Sequence, residues 1–80
     1  MTLEDTRLRR LIQRQLVKRS VDTDKIQVFV TNGVVTLQGE LRDRRAGGLI
    51  DLRQEREIIL DLVRRLPGVR DIVDWVRLPL

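Results

Sequence analysis

Cysteine and histidine are both absent from these 80 residues. That removes disulfide scaffolds, thiol chemistry and the usual sulfur- and imidazole-ligated metal sites. A nucleophile would also lack an imidazole to activate it, and the lone serine, Ser20, lies in a connection. The carboxylates show no apolar pocket pattern that would set one apart as a general acid. The chain therefore reads as non-catalytic, with no cofactor and no metal ligands to assign. No apolar run approaches the roughly 18 residues of a transmembrane helix. The opening Met1-Thr2-Leu3-Glu4-Asp5 lacks the positive and apolar regions of a signal peptide. As written, the sequence is that of a cytoplasmic protein, or of an envelope or periplasmic one if a leader has been removed.

Length permits one domain, residues 1–80, with a single two-layer core and little room for a deep pocket. The net charge of +4 lies within the ordinary range for a small soluble domain. It does not by itself point to nucleic acid. Fourteen of the 16 basic residues are Arg, the side chain best suited to carboxylate and phosphate contacts where a patch converges.

What is present is organised around residues 26–39. Asn32-Gly33 is a strong signal for a two-residue type I′ hairpin turn, because both central positions need positive φ. That turn sets the register: Thr31 opposite Val34, Val30 opposite Val35, Val28 opposite Leu37, Ile26 opposite Gly39. Alternation then collects Ile26, Val28, Val30, Val35 and Leu37 on a core face, with Gln27, Thr36 and Gln38 on the other. Phe29, the only Phe, falls on the polar side.

Residues 3–19 have the spacing of an amphipathic helix, with Leu8, Leu11, Ile12 and Leu16 as its stripe and Leu3 and Val17 in support. Thr2 and Asp5 form a capping start. Arg7, Arg9, Arg10, Arg14 and Lys18 make the polar side, either a phosphate-facing stripe or the wet face of a helix lying on a sheet. Residues 20–24 read as a connection whose two Asp residues serve turn chemistry. Gly39 suggests close packing of a helix, or else a bulge or strand end. Residues 40–51 are the least regular stretch, with Gly47-Gly48 as a helix breaker. A second helix follows over Leu52–Leu66, capped by Asp51, with Ile58, Ile59, Leu62, Val63 and Leu66 on its apolar side and Pro67-Gly68 after it. The last strand runs from Asp71 to Leu78. It sends Ile72, Val76 and Leu78 to one side and Val73, Trp75 and Arg77 to the other.

Two helices on one side of three strands leave the opposite sheet face bare. Phe29, Val34, Val73, Trp75 and Arg77 belong to that face and are candidate interface residues. Self-association is the simplest use of such a face. Arg42, Arg44 and Arg45 beside Leu49 and Ile50 combine charge and aliphatic surface as a membrane-surface contact would.

These motifs together resemble the BON domain family, named for bacterial osmotic-stress and nodulation-related proteins. The resemblance rests on the leading helix with Leu8 and Ile12, on Ile26-x-Val28-x-Val30-x-x-Gly33-x-Val35-x-Leu37-x-Gly39, and on Leu62-Val63-x-x-Leu66-Pro67-Gly68-Val69-x-x-Ile72-x-Asp74-x-Val76. Gly33, Gly39 and Gly68 match the family's fold-marking glycines. The segment between Gly39 and Pro67 is longer than is usual for the family. The resemblance implies an α+β fold, a two-layer α-β-β-α-β domain with both helices on one face of a mixed three-stranded sheet. It also implies a stress-related, membrane-associated interaction module of phospholipid surfaces. The leading expectation is attachment to anionic phospholipid through Arg42, Arg44, Arg45, Leu49 and Ile50. One alternative is a protein-protein or homo-oligomerisation module using the open sheet face. The other is weak nucleic-acid binding, which requires Arg7, Arg10 and Arg14 to converge.

Overall fold

The structure, a computed structural model, describes residues 2–19, 21–43 and 51–79. The chain runs α1 (Leu3–Val17), β1 (Val21–Asp22), β2 (Ile26–Thr31), β3 (Val34–Glu40), β4 (Arg42–Asp43), α2 (Leu52–Arg64) and β5 (Asp71–Arg77). This is the α+β arrangement expected, with one addition: β1 and β4 pair antiparallel as a separate two-stranded ribbon. The stretches that read as a connection and as the least regular segment each contribute one of these short strands. Val21 is the reason the ribbon sits where it does, since its side chain is wholly buried in the core. Turn chemistry holds the neighbouring residues, with Asp22 accepting the Asp24 N–H at 2.9 Å.

α1 begins with the anticipated capping box. Asp5 N–H donates to Thr2 Oγ1 at 3.1 Å, and Thr2 N–H donates to Asp5 Oδ2 at 3.3 Å. Leu8, Ile12 and Leu16 are buried. Leu3 and Val17 are not part of that stripe and stand exposed at 67% and 69%. At about 100° per residue they project opposite Leu8 and Ile12, so sequence proximity to the stripe misplaces them. The helix stops at Val17, two residues short of expectation, with Lys18 as its cap.

The hairpin has the register that the turn dictates, pairing every residue from Ile26 with Gly39 to Thr31 with Val34. Asn32 and Gly33 take φ of 51° and 80°. Gly33 is required for a second reason. A Cβ there would lie 2.7 Å from both Arg70 Cγ and the Gly68 carbonyl oxygen, because the 67–70 segment docks on the turn through Arg70 N–H and the Gly33 carbonyl at 2.8 Å. Gly39, with φ 139°, has a different neighbour from the one expected: a Cβ would meet the Lys25 carbonyl, not a helix. Lys25 leads into the antiparallel neighbour β2 and its carbonyl accepts Glu40 N–H at 3.4 Å, so adjacent backbone takes that space at the strand end, the alternative reading of this glycine.

β5 lies beside β3 and parallel to it, giving the order β2-β3-β5. A parallel neighbour needs a crossover, and α2 supplies it. Asp51 caps α2 by accepting from Arg53 and Gln54 N–H at 3.1 and 3.2 Å. The helix ends at Arg64, before the expected Leu66, and Asp61 meets Arg65 at 2.8 Å as their four-residue spacing allows. Its buried residues are Glu55, Ile59, Leu60 and Val63, with Ile58 and Leu62 half-buried. Leu60 is therefore an addition to the expected apolar side. One core joins α1, α2 and the inner sheet face, with Ile12, Leu37 and Leu41 fully enclosed.

Candidate functional site

Charged side chains sort into two populations, one that binds the fold together and one that faces outward. Asp5 belongs to the first. Besides closing the helix cap, its carboxylate accepts Asn32 N–H at 3.0 Å and Gly33 N–H at 3.3 Å. It thus joins the start of α1 to the hairpin turn, and the Asn32 N–H above all holds its pKa below the ordinary carboxylate value. Glu55, buried on α2, takes a two-pronged contact from Arg19 just beyond α1, with Nη2 to Oε2 at 3.0 Å and Nε to Oε1 as the second bond. That hydrogen bonding raises the Arg19 pKa. Asp74, on the inner face of β5, receives both Nε and Nη2 of Arg56, with Nε to Oδ2 at 3.0 Å. Each carboxylate sits on an apolar stripe: Asp5 with Leu8 and Ile12, Glu55 with Ile59 and Val63, Asp74 between Ile72 and Val76. A charge at a core-facing position was the available signal, and the periodicity argument passed over all three.

Arg42, in β4, also belongs to this population. Its Nε donates to Glu40 Oε1 at 2.7 Å, and that contact lowers the Glu40 pKa, with Arg77 and Lys25 adding to it through space. Arg44, Arg45, Leu49 and Ile50 lie outside the described residues. Of the five residues anticipated as a lipid contact, Arg42 is the one placed, and it is engaged by a carboxylate.

The largest outward group lies on α1, with Lys25, Arg53, Arg64, Arg70 and Arg77 exposed elsewhere. Arg7, Arg9, Arg10, Arg14 and Lys18 are all exposed. Among the described residues, no carboxylate forms an ion pair with any of them. At 3.6 residues per turn, Leu3, Arg7, Arg10, Arg14, Val17 and Lys18 fall within one outward arc of about 100°. Arg9 stands to its side. The convergence required of Arg7, Arg10 and Arg14 is therefore met, with two exposed aliphatic side chains at the ends of the same strip. Arg10, Arg14, Val17 and Lys18 border one shallow depression on it.

The open sheet face lies on the other side of the molecule. Its cross-strand rows are Thr31-Val34-Asp71, Phe29-Thr36-Val73 and Gln27-Gln38-Trp75, with Glu40-Arg77 at the end. Trp75 is 65% exposed, Phe29 46% and Val73 36%; Val34 is half-buried and Arg77 exposed. All five anticipated interface residues thus share this face. Phe29 and Trp75 do not touch as a cross-strand pair, because β3 separates their strands and they occupy successive rows.

The described residues hold no helix long and apolar enough to cross a membrane. Comparison with curated proteins and with solved structures finds no match. The model of the BON domain family matches residues 4–78, which spans both helices, the hairpin and β5, and the chain belongs to the BON domain family.

Proposed function

We propose that this BON domain is a non-catalytic module that attaches to anionic phospholipid surfaces, with the outer strip of α1 as its principal contact. The observation that carries the reading is the charge of Arg7, Arg10, Arg14 and Lys18, which no carboxylate among the described residues pairs with, on a strip that also exposes Leu3 and Val17. Anionic headgroups attract such cations by about 1 kcal/mol each near the surface, and the long Arg stems and the aliphatic ends suit the headgroup boundary. Membership of a family of binding domains supports the same conclusion. Arg44, Arg45, Leu49 and Ile50 remain in the proposal as a second contact, and Arg42, held by Glu40, contributes less.

Co-sedimentation with vesicles of phosphatidylglycerol in phosphatidylcholine tests this. Replacing Arg7, Arg10 and Arg14 by Gln removes about 3 kcal/mol of attraction, a loss of roughly a hundredfold in partition. Added salt weakens the parent protein toward the same level. Unchanged partition of the triple variant removes α1 from the site, and loss only with Arg44→Gln and Arg45→Gln moves it to that segment. Equal binding to neutral vesicles, or tighter retention on duplex DNA than on anionic vesicles, overturns the phospholipid reading.

A further inference from the structure

The open sheet face is self-complementary in the charges at the two ends of β5, and we infer that it docks on a second copy of this chain, face to face about a two-fold axis running across the strands. That axis, placed between the Phe29 and Trp75 rows, lays each β5 over its counterpart in the opposite direction. Asp71 of one copy then covers Arg77 of the other, twice over, and Val73 covers Trp75. The competing two-fold, along the strands, brings β2 over β5 and sets Arg77 above Lys25, a meeting of like charges. Charge thus selects one symmetric arrangement, in which the same patch serves both copies.

The free edge of β5 is partly blunted as a second route. The Arg77 carbonyl accepts from Leu41 N–H at 3.0 Å on the β3 side, so alternation turns the Ile72, Asp74 and Val76 N–H groups toward the free edge of β5. Asp71 Oδ1 takes the Ile72 N–H at 2.8 Å and Asp74 Oδ1 the Val76 N–H at 3.0 Å. With two of these three donors already bonded to carboxylates of its own strand, β5 is a weakened template for strand addition.

Three strands of seven residues or fewer present a face of roughly 14 by 23 Å. That is below the range of stable specific interfaces and corresponds to a weak, reversible dimer. Sedimentation velocity without lipid should show dimer growing in between about 10 µM and 1 mM, with Trp75 emission shifting to the blue as it forms. Asp71→Arg and Arg77→Asp should each weaken the dimer by about tenfold, and the two together should restore it. Asp71 and Arg77 of one copy are about 20 Å apart along β5, too far to pair within a chain, so only an intermolecular contact gives that rescue. Trp75→Ser, at an exposed position where folding is not at stake, should abolish the dimer. A parent protein that stays monomeric to about 1 mM overturns the inference. So does a double variant as weak as either single one. None of these outcomes depends on vesicle binding, which separates this contact from the phospholipid site.

Discussion

The two outward faces of this domain are built from opposite materials. The α1 strip is cationic, with aliphatic ends and no carboxylate partner among the described residues. The sheet face balances Asp71 and Glu40 against Arg77 and Lys25, and its middle rows set Phe29, Val73 and Trp75 among Thr36, Gln27 and Gln38. One face suits a partner of the opposite sign, while the other suits a copy of itself. A net charge of +4 hides this difference, because four further cations, Arg19, Arg42, Arg56 and Arg65, are taken up by carboxylates of the fold, while Arg53, Arg64 and Arg70 are exposed elsewhere on the surface. Position decides what an arginine does here, and composition does not.

The comparison breaks most completely when the layer beneath both faces is damaged. Leu37 is fully buried on the central strand, and Leu37→Ala should cost about 2–5 kcal/mol. Urea unfolding reads that loss, and vesicle binding and self-association should fall together. Next in size is the Arg7, Arg10 and Arg14 triple variant, which should lose vesicle partition while its sedimentation in the absence of lipid stays that of the parent. A fall in both would mean that the two faces are one site.

Asp5 tests the link between α1 and the hairpin. Its pKa is lowered in the fold, chiefly by the Asn32 N–H, so its stabilising contribution is full above the unfolded value of roughly 4 and fades as pH drops below it. Asp5→Asn should therefore lower the thermal midpoint at pH 7 and bring it closer to the parent's near pH 3. An equal gap at both pH values would mean that the charge on Asp5 is immaterial. The smallest effect is expected for Trp75→Ser on stability, within about 0.5 kcal/mol for an exposed side chain. A larger loss in the monomer would show Trp75 to be a packing residue, which would weaken its place in the dimer contact.

Much of the fold was legible because it is decided locally. Asn32-Gly33 fixed the hairpin pairing residue by residue, Thr2 with Asp5 and Asp51 fixed the helix starts, and Pro67-Gly68 marked the end of α2 to within two residues. The β1–β4 ribbon was not legible, since two-residue strands carry no periodicity to read. The exposed Leu3 and Val17 were misread for a related reason: at a helix end, hydrophobicity alone says nothing about angle. Of the candidate site, the sheet-face residues were identified from alternation. The basic strip was visible as spacing, but its lack of partners was not, because Arg19 and Arg56 look no different in sequence from Arg10 and Arg14.

By itself, the sequence determined the turn with its positive φ at Asn32 and Gly33, its register, the caps and the identity of the core face, all properties that span a few residues. Tertiary structure alone decided that β5 joins β3 in parallel, that Gly39 makes way for the Lys25 carbonyl, and that Asp5, Glu55 and Asp74 each receive distant donors. Those partners lie 18 to 36 residues apart in the chain. Contacts over such separations form only when burial of the shared core brings the elements together, and no local pattern encodes which charges will then meet and which will be left facing outward.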